Sequence, residues 1–289
     1  MRFAVCLSRL PDPDTVEVDP LTGDIDVGRT LYIMNPADAV ALELVLGLRA
    51  SGDHVTALTV GPVEAETVLR EAAAVGADAA LRVWEEGRTI TRPSATALLL
   101  ATALRAQGLP DLVVCGARTL AGGSGKVPTL IAEHLDWPVV TDIVEFSLEP
   151  SRVRFQRRLT KGARSEGEVT LPAVLAVDSS AVSLRYASLP GLMKAKRATI
   201  PVCHLVDLGL SPLDLGFPSP TVHAAMPPYC RPREVFVPDS ALPPHERAMQ
   251  VLSAGVVRKA GRIVSGPPEQ MADAIIAFLR EHGFVERST

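Results

Sequence analysis

The segment from Gly116 to Lys126 (GARTLAGGSGK) is the part of the chain best equipped to hold a ligand. It follows an apolar run, Leu112–Cys115, and leads into a helical pattern, Lys126–Leu135. Gly116, Gly123 and Gly125 let backbone N–H groups approach an anion. Ser124 adds a hydroxyl, and the start of a helix adds a favourable dipole. Lys126 adds a full positive charge, with Val127 beside it. The chemistry this suggests is phosphate binding. The loop is not a Walker A motif, which needs glycine where Leu120 stands and Ser or Thr where Val127 stands. It is not a GxGxxG fingerprint either, because Pro128 occupies the third glycine position. Three more segments end apolar runs: Cys6-Leu7-Ser8-Arg9, Asn35-Pro36-Ala37-Asp38 and Thr59-Val60-Gly61-Pro62. In open parallel sheets ligands bind beyond the carboxyl ends of the strands, so all four segments are expected to share one crevice.

Residues that could break bonds are scarce. Cys203-His204 pairs a thiol with an imidazole, but no acid is placed to serve them and Pro201 stands close by. Six histidines (54, 134, 204, 223, 245 and 282) show no zinc-ligand spacing, and neither GxSxG nor HExxH occurs. This points to a binding or carrier protein.

The elements that must position the crevice read as alternating strands and helices. Strands are expected at Phe3–Leu7, Val55–Val60, Ala80–Trp84 and Leu112–Cys115. Helices are expected at Pro36–Ala50, capped by Asn35 and ended by Gly52; at Glu64–Val75, closed by Gly76; at Ser94–Gln107, capped by Ser94 and stopped by Gly108; and at Lys126–Leu135. The strands are continuously apolar rather than alternating. That predicts an α/β fold, a mostly parallel sheet with helices on both faces. After Pro138, Val153–Arg158, Glu168–Thr170 and Ala173–Val177 read as an antiparallel part. Residues 201–244 carry 10 of the 24 prolines and read as an extended arm. Pro268–His282 reads as an amphipathic helix ended by Gly283. The expected division is 1–200 for the α/β domain and 201–289 for the arm and helix.

With 289 residues, 47% hydrophobic and 21% charged, the chain can bury a sizeable core. Its longest apolar run, Ala95 to Leu104, falls well short of the roughly 20 residues of a membrane span. The start, MRFAVCL, lacks the pattern of a signal peptide. Four scattered cysteines (6, 115, 203 and 230) without a CxxC pair fit the cytoplasm. A net charge of −4 argues against nucleic acid as a partner. Residues 152–197 nevertheless hold 10 bases and 3 acids, which suggests one face that meets something negative.

Taken together, the motifs resemble the beta subunit of electron transfer flavoprotein, the FixA type. The resemblance runs from Met1 to about Leu210. It rests on Val18-Asp19-Pro20-Leu21-Thr22-Gly23, Met34-Asn35-Pro36-Ala37-Asp38, Gly61-Pro62, Leu69-Arg70-Glu71-Ala72, Gly76-Ala77-Asp78, Leu135-Asp136-Trp137-Pro138 and Leu171-Pro172-Ala173-Val174. The last piece is Arg185-Tyr186-Ala187-Ser188-Leu189-Pro190-Gly191-Leu192-Met193-Lys194-Ala195-Lys196.

The resemblance implies an adenine-nucleotide hydrolase-like domain in a heterodimer with an alpha subunit that holds most of a redox-active FAD. It implies a second adenine nucleotide, FAD or AMP, on this chain. The strand-loop-helix geometry, rather than the resemblance, predicts the adenine over Cys6, Asn35 and Val60 and the phosphate on the amides of Gly123, Ser124 and Gly125, with Lys126 paired to it. The resemblance also implies a recognition loop for acyl-CoA or other dehydrogenases, anchored by Leu189, with Met193 among its docking residues and Lys194 and Lys196 as its basic flank. The chain departs from the family where acids and a glutamine are usual: Ala121, Gly123 and Lys126 stand there, and Ser8 replaces a lysine. FAD, AMP and an empty second site all stay open. Two other readings are a stand-alone adenine-nucleotide module of the universal-stress type and a nucleotidyl transferase or hydrolase. The proline-rich arm and terminal helix favour the carrier subunit, which needs a partner to cover them.

Overall fold

The computed structural model describes residues 1–19, 24–86, 90, 92–216, 238, 240–252, 265–282 and 284. Pro20 to Gly23 and Gly283, used in the sequence reading, lie outside the described residues. So does the whole stretch 217–237. The chain divides into two units, Met1–Pro228 and Tyr229–Thr289.

The first unit is built on a nine-stranded sheet. Five parallel strands form its centre: β1 (Arg2–Leu7), β4 (His54–Val60), β5 (Ala79–Val83), β6 (Leu112–Gly116) and β10 (Ala173–Val177). The full order is β11-β5-β4-β1-β6-β10-β7-β8-β9, where β7 is Val139–Leu148, β8 Arg152–Arg158, β9 Arg164–Thr170 and β11 Val202–Cys203. A two-stranded ribbon, β2 (Arg9–Pro11) with β3 (Tyr32–Met34), completes the strands.

Strand β1 explains the layering. Its side chains alternate between faces, and both faces are covered. Phe3, Val5 and Leu7 pack with α1 (Pro36–Leu48) and α2 (Glu66–Val75). Ala4 and Cys6 pack with α3 (Pro93–Ala106) and α4 (Lys126–Leu135). A strand buried on both sides has no polar face to show, hence its unbroken apolar sequence.

The structure corrects several expectations. Ala173–Val177 is not antiparallel: β10 inserts between β6 and β7 and runs parallel to both. Strand β7, absent from the sequence reading, starts parallel to β10 and continues antiparallel to β8. Residues 189–197 are a helix, α5 (Leu189–Arg197), rather than a loop, and Ser188 caps it by accepting from the Gly191 N–H. Helix α3 starts at Pro93, so Ser94 lies inside it and Arg92 holds the cap position. Helix α1 stops at Leu48, ahead of Gly52. The start of the proline-rich stretch joins the sheet, since β11 pairs with β5. At the opposite edge, β9 exposes an Arg–Glu ladder: Arg152 and Arg154 of β8 reach Glu168 at 2.7 and 2.8 Å. The second unit contains α6 (Pro244–Leu252) and α7 (Pro268–Glu281), where the Phe278 and His282 rings stack.

Candidate functional site

A crevice of about 350 Å³ opens beyond the carboxyl ends of β1, β4 and β6. Its apolar wall is Cys6, Val60, Leu100 and Cys115, its polar rim is Ser8, Arg118, Thr119, Ser124 and Lys126, and Asp38 lies at its floor. The position follows from topology: β4 and β6 flank β1 on opposite sides, so the chain leaves the sheet in diverging directions there.

Asp38 organises the floor. Its carboxylate accepts from the Ser8 N–H at 2.8 Å, the Ser8 hydroxyl at 2.6 Å and the Gly116 N–H at 2.9 Å. It thereby ties the ends of β1 and β6 to the first turn of α1. Burial pushes its pKa up to about 6, against the pull of the bonds from Ser8, Asn35 and Gly116. Gly116 is obligatory here, because a Cβ would meet Asp38 Oδ1 at 2.3 Å. Cys6 and Cys115 face each other in register on β1 and β6. Their mutual hydrogen bond, burial and the nearby Asp38 charge push the Cys115 thiol well up, so it stays protonated.

Asn35 precedes α1, but its side chain does not cap that helix. It donates to the Arg118 carbonyl at 3.0 Å and accepts from the Leu120 N–H at 3.2 Å. It is a clip for the ligand loop, and at 1% exposure it lies beneath the crevice rather than in it. The loop is further folded on itself by Gly123 N–H donating to Thr119 O at 2.8 Å. The Gly123 amide is therefore already used, which corrects the expectation that it would meet a phosphate. The amides of Ser124 and Gly125 have no acceptor among the described residues, and they stand at the start of α4. Gly125, at φ +60°, lets the chain turn into that helix. Lys126 makes no ion pair among the described residues. Arg118 reaches Asp142 only at 3.5 Å.

Of the twelve residues proposed from sequence for the cofactor, the structure brings Cys6, Ser8, Asp38, Val60, Gly116, Ser124, Gly125, Lys126 and Val127 to the crevice surface. Asn35, Gly61 and Gly123 are not on that surface. Sequence reasoning missed Pro93, Thr96 and Leu100 of α3, and Arg118 and Thr119 of the loop. Arg118 and Thr119 were legible as part of the same strand-end segment. The α3 residues carried no signal, since only the folded sheet brings that helix over β1.

Apart from this crevice, Leu189, Leu192 and Met193 of α5 stand 71, 49 and 50% exposed, and Lys194 and Lys196 flank them. An apolar patch set in positive charge has the composition of a transient protein contact.

A mostly parallel sheet covered on both faces, with a crevice at its switch point, defines a doubly wound α/β domain. The family model described as "Electron transfer flavoprotein domain" matches residues 25–208. The chain belongs to the electron transfer flavoprotein family. It is 34% identical over 224 residues to the caffeyl-CoA reductase-Etf complex subunit CarD of Acetobacterium woodii, covering 76% of this chain and 85% of that protein. It is 31% identical to the electron transfer flavoprotein subunit beta of Thermoanaerobacterium thermosaccharolyticum over 82% of this chain and 92% of that one. It is also 31% identical to Protein FixA of Azorhizobium caulinodans, over 73% and 77% of the two chains. Among the described residues no helix is long and apolar enough to cross a membrane.

Proposed function

We propose that the chain is the beta subunit of a heterodimeric electron transfer flavoprotein, passing electrons between dehydrogenases and downstream acceptors without turning over a substrate itself. The observation that carries the finer part of this reading is the crevice, with free amides at Ser124 and Gly125 and an unpaired Lys126 above an apolar wall. It fits an adenine nucleotide, with the ring against Cys6, Val60, Leu100 and Cys115 and the phosphate on the α4 N-terminus. Redox-active FAD, held mainly by the alpha subunit, supplies the electron chemistry when bound. This chain's own residues bind and orient: Asp38 holds the floor, Asn35 holds the loop, and Lys126 compensates phosphate charge.

Helix α5 is the docking surface for acyl-CoA or other dehydrogenases, with Leu189 as anchor and Lys194 and Lys196 steering acidic partners. The alpha subunit is the natural cover for the amphipathic helix α7. The reading places the protein in the cytoplasm, in line with the free thiols of Cys6, Cys115 and Cys203.

The test is to purify the chain with its alpha subunit, extract the ligands and count nucleotides per heterodimer. One adenine nucleotide beyond a single redox FAD supports the crevice reading, and its identity as AMP or FAD names the ligand. A heterodimer holding one FAD and nothing else refutes that reading. A chain that folds and binds nucleotide but never assembles with an alpha subunit would favour the stand-alone module instead.

A further inference from the structure

We propose that Arg70 is the positioning residue of the docking helix: it holds the carboxyl end of α5, fixing Leu189 and the flanking lysines in the geometry a partner meets. The inference rests on the reading of α5 as the docking surface.

Helix α5 has nine residues, includes Pro190 and Gly191 in its first turn, and buries only Ala195. A helix this short does not persist in water on its own account. Its packing against the body is narrow. Gly191 lies so close to α2 that a Cβ would sit 2.4 Å from the Ala74 carbonyl oxygen. What completes the attachment is one guanidinium. Arg70 Nη1 donates to the carbonyls of Ala195 at 2.9 Å, Lys196 at 3.3 Å and Ala198 at 2.8 Å. These are carbonyls at the end of a helix, where intrahelical donors run out and the dipole is negative.

Arg70 is itself aimed. Its Nη2 donates to Glu66 Oε2 at 3.0 Å, one turn back on α2, while Glu66 Oε1 accepts from the buried Arg82 at 3.2 Å. The carboxylate is a fork between two arginines, so Arg70 has little freedom to swing away. The arrangement has a second effect. With the carbonyl end served by Arg70, neither Lys194, Lys196 nor Arg197 is held in an ion pair among the described residues. All three charges remain available to an acidic partner.

The experiment uses the flavin-loaded heterodimer and a purified acyl-CoA dehydrogenase with its acyl-CoA as the electron source. Arg70→Met, Arg70→Lys and Leu189→Ala are compared with the parent by the KM for the flavoprotein, by kcat, and by hydrogen exchange of the amides of residues 191–198. Arg70→Met is expected to raise KM about tenfold with kcat retained, and to speed exchange in 191–198. Arg70→Lys should restore part of both, since it keeps the charge but loses the fork. Bound flavin and the melting temperature serve as the check on folding. Unchanged exchange in Arg70→Met overturns the inference whatever the kinetics show. Unchanged KM in Arg70→Met, with KM raised in Leu189→Ala, overturns it while leaving the docking surface in place. Unchanged KM in Leu189→Ala refutes the docking surface and the inference with it.

Discussion

Asp38 is ionisable and buried under the crevice, and replacing it by asparagine gives a pH signature that can be calculated. Burial raises its pKa from 3.8 to about 6. A carboxyl group with a raised folded-state value binds its proton more tightly when folded. Its contribution to stability is therefore complete below the unfolded value and is lost as pH rises through the folded value. The shift of roughly two units corresponds to about 3 kcal/mol, at 1.36 kcal/mol per unit. Other carboxylates contribute too: burial raises Glu71, which acts in the same sense as Asp38, while Glu43 and Asp178 are lowered, so they act in the opposite sense and at lower pH. The wild-type profile thus mixes signs, but the difference between wild type and Asp38→Asn isolates the one group. Asparagine can accept only at one of the positions now bonded to Ser8 and Gly116, which sets a constant offset and leaves the slope intact. Urea denaturation of both proteins, at one protein concentration from pH 4 to pH 7.5, is the assay. The variant should gain on wild type by about 2–3 kcal/mol between the ends of the series, most of it below pH 6.5. A difference that stays flat would show that the Asp38 carboxylate is already ionised at pH 4. The account of a desolvated anion beneath the crevice would then be wrong.

Leu189→Ala should slow reduction by a partner dehydrogenase with bound flavin unchanged, because a leucine buried at a contact centre is worth about 1.5–3 kcal/mol. In the same assay Lys194→Glu should mainly lower the association rate and reduce its sensitivity to salt. Lys126→Ala should release the second nucleotide about tenfold to a hundredfold more readily, leaving the alpha-held FAD in place; retention of both nucleotides after gel filtration would show that the lysine serves something else. Asn35→Ala strands the Leu120 N–H and the Arg118 carbonyl and should weaken second-nucleotide binding about tenfold, read by equilibrium dialysis. Unaltered affinity there would mean that the loop holds its shape without the clip.

The central strands and five of the helices, α1 to α4 and α7, were legible because each is decided by its own sequence. Lys126–Leu135 is bounded by Gly125 and an apolar stripe, and β1 by an unbroken apolar run. Strand β7 was not legible because it obeys two patterns. Its first half sits in the parallel sheet and its second half pairs with β8, with a register shift between Ile143 and Glu145 and a left-handed Asp142 near the change. Helix α5 was missed for a different reason: it is held by Arg70 and Ser188 rather than by an apolar stripe. At the site, residue types at strand ends pointed to the crevice, yet the work each residue does depended on the fold. Asn35 looked like a helix cap and is a loop clip. Gly123 looked like a phosphate donor and spends its amide on Thr119.

The two margins of the sheet differ in how they resist adding another strand. On one side β11 offers two residues, too short a template for an incoming chain. On the other, β9 is seven residues long and pairs on one side only among the described residues, and its guard is the charge of Arg152, Arg154, Glu166 and Glu168. A strand that docked there would have to lie beside the carboxylates of Glu166 and Glu168 and the guanidinium of Arg164. That guard is electrostatic and so depends on the solvent: at about 1 M salt the screening length falls to roughly 3 Å. Concentrated salt therefore weakens the charge protection at this edge, while the short β11 edge, guarded by its length alone, is unaffected.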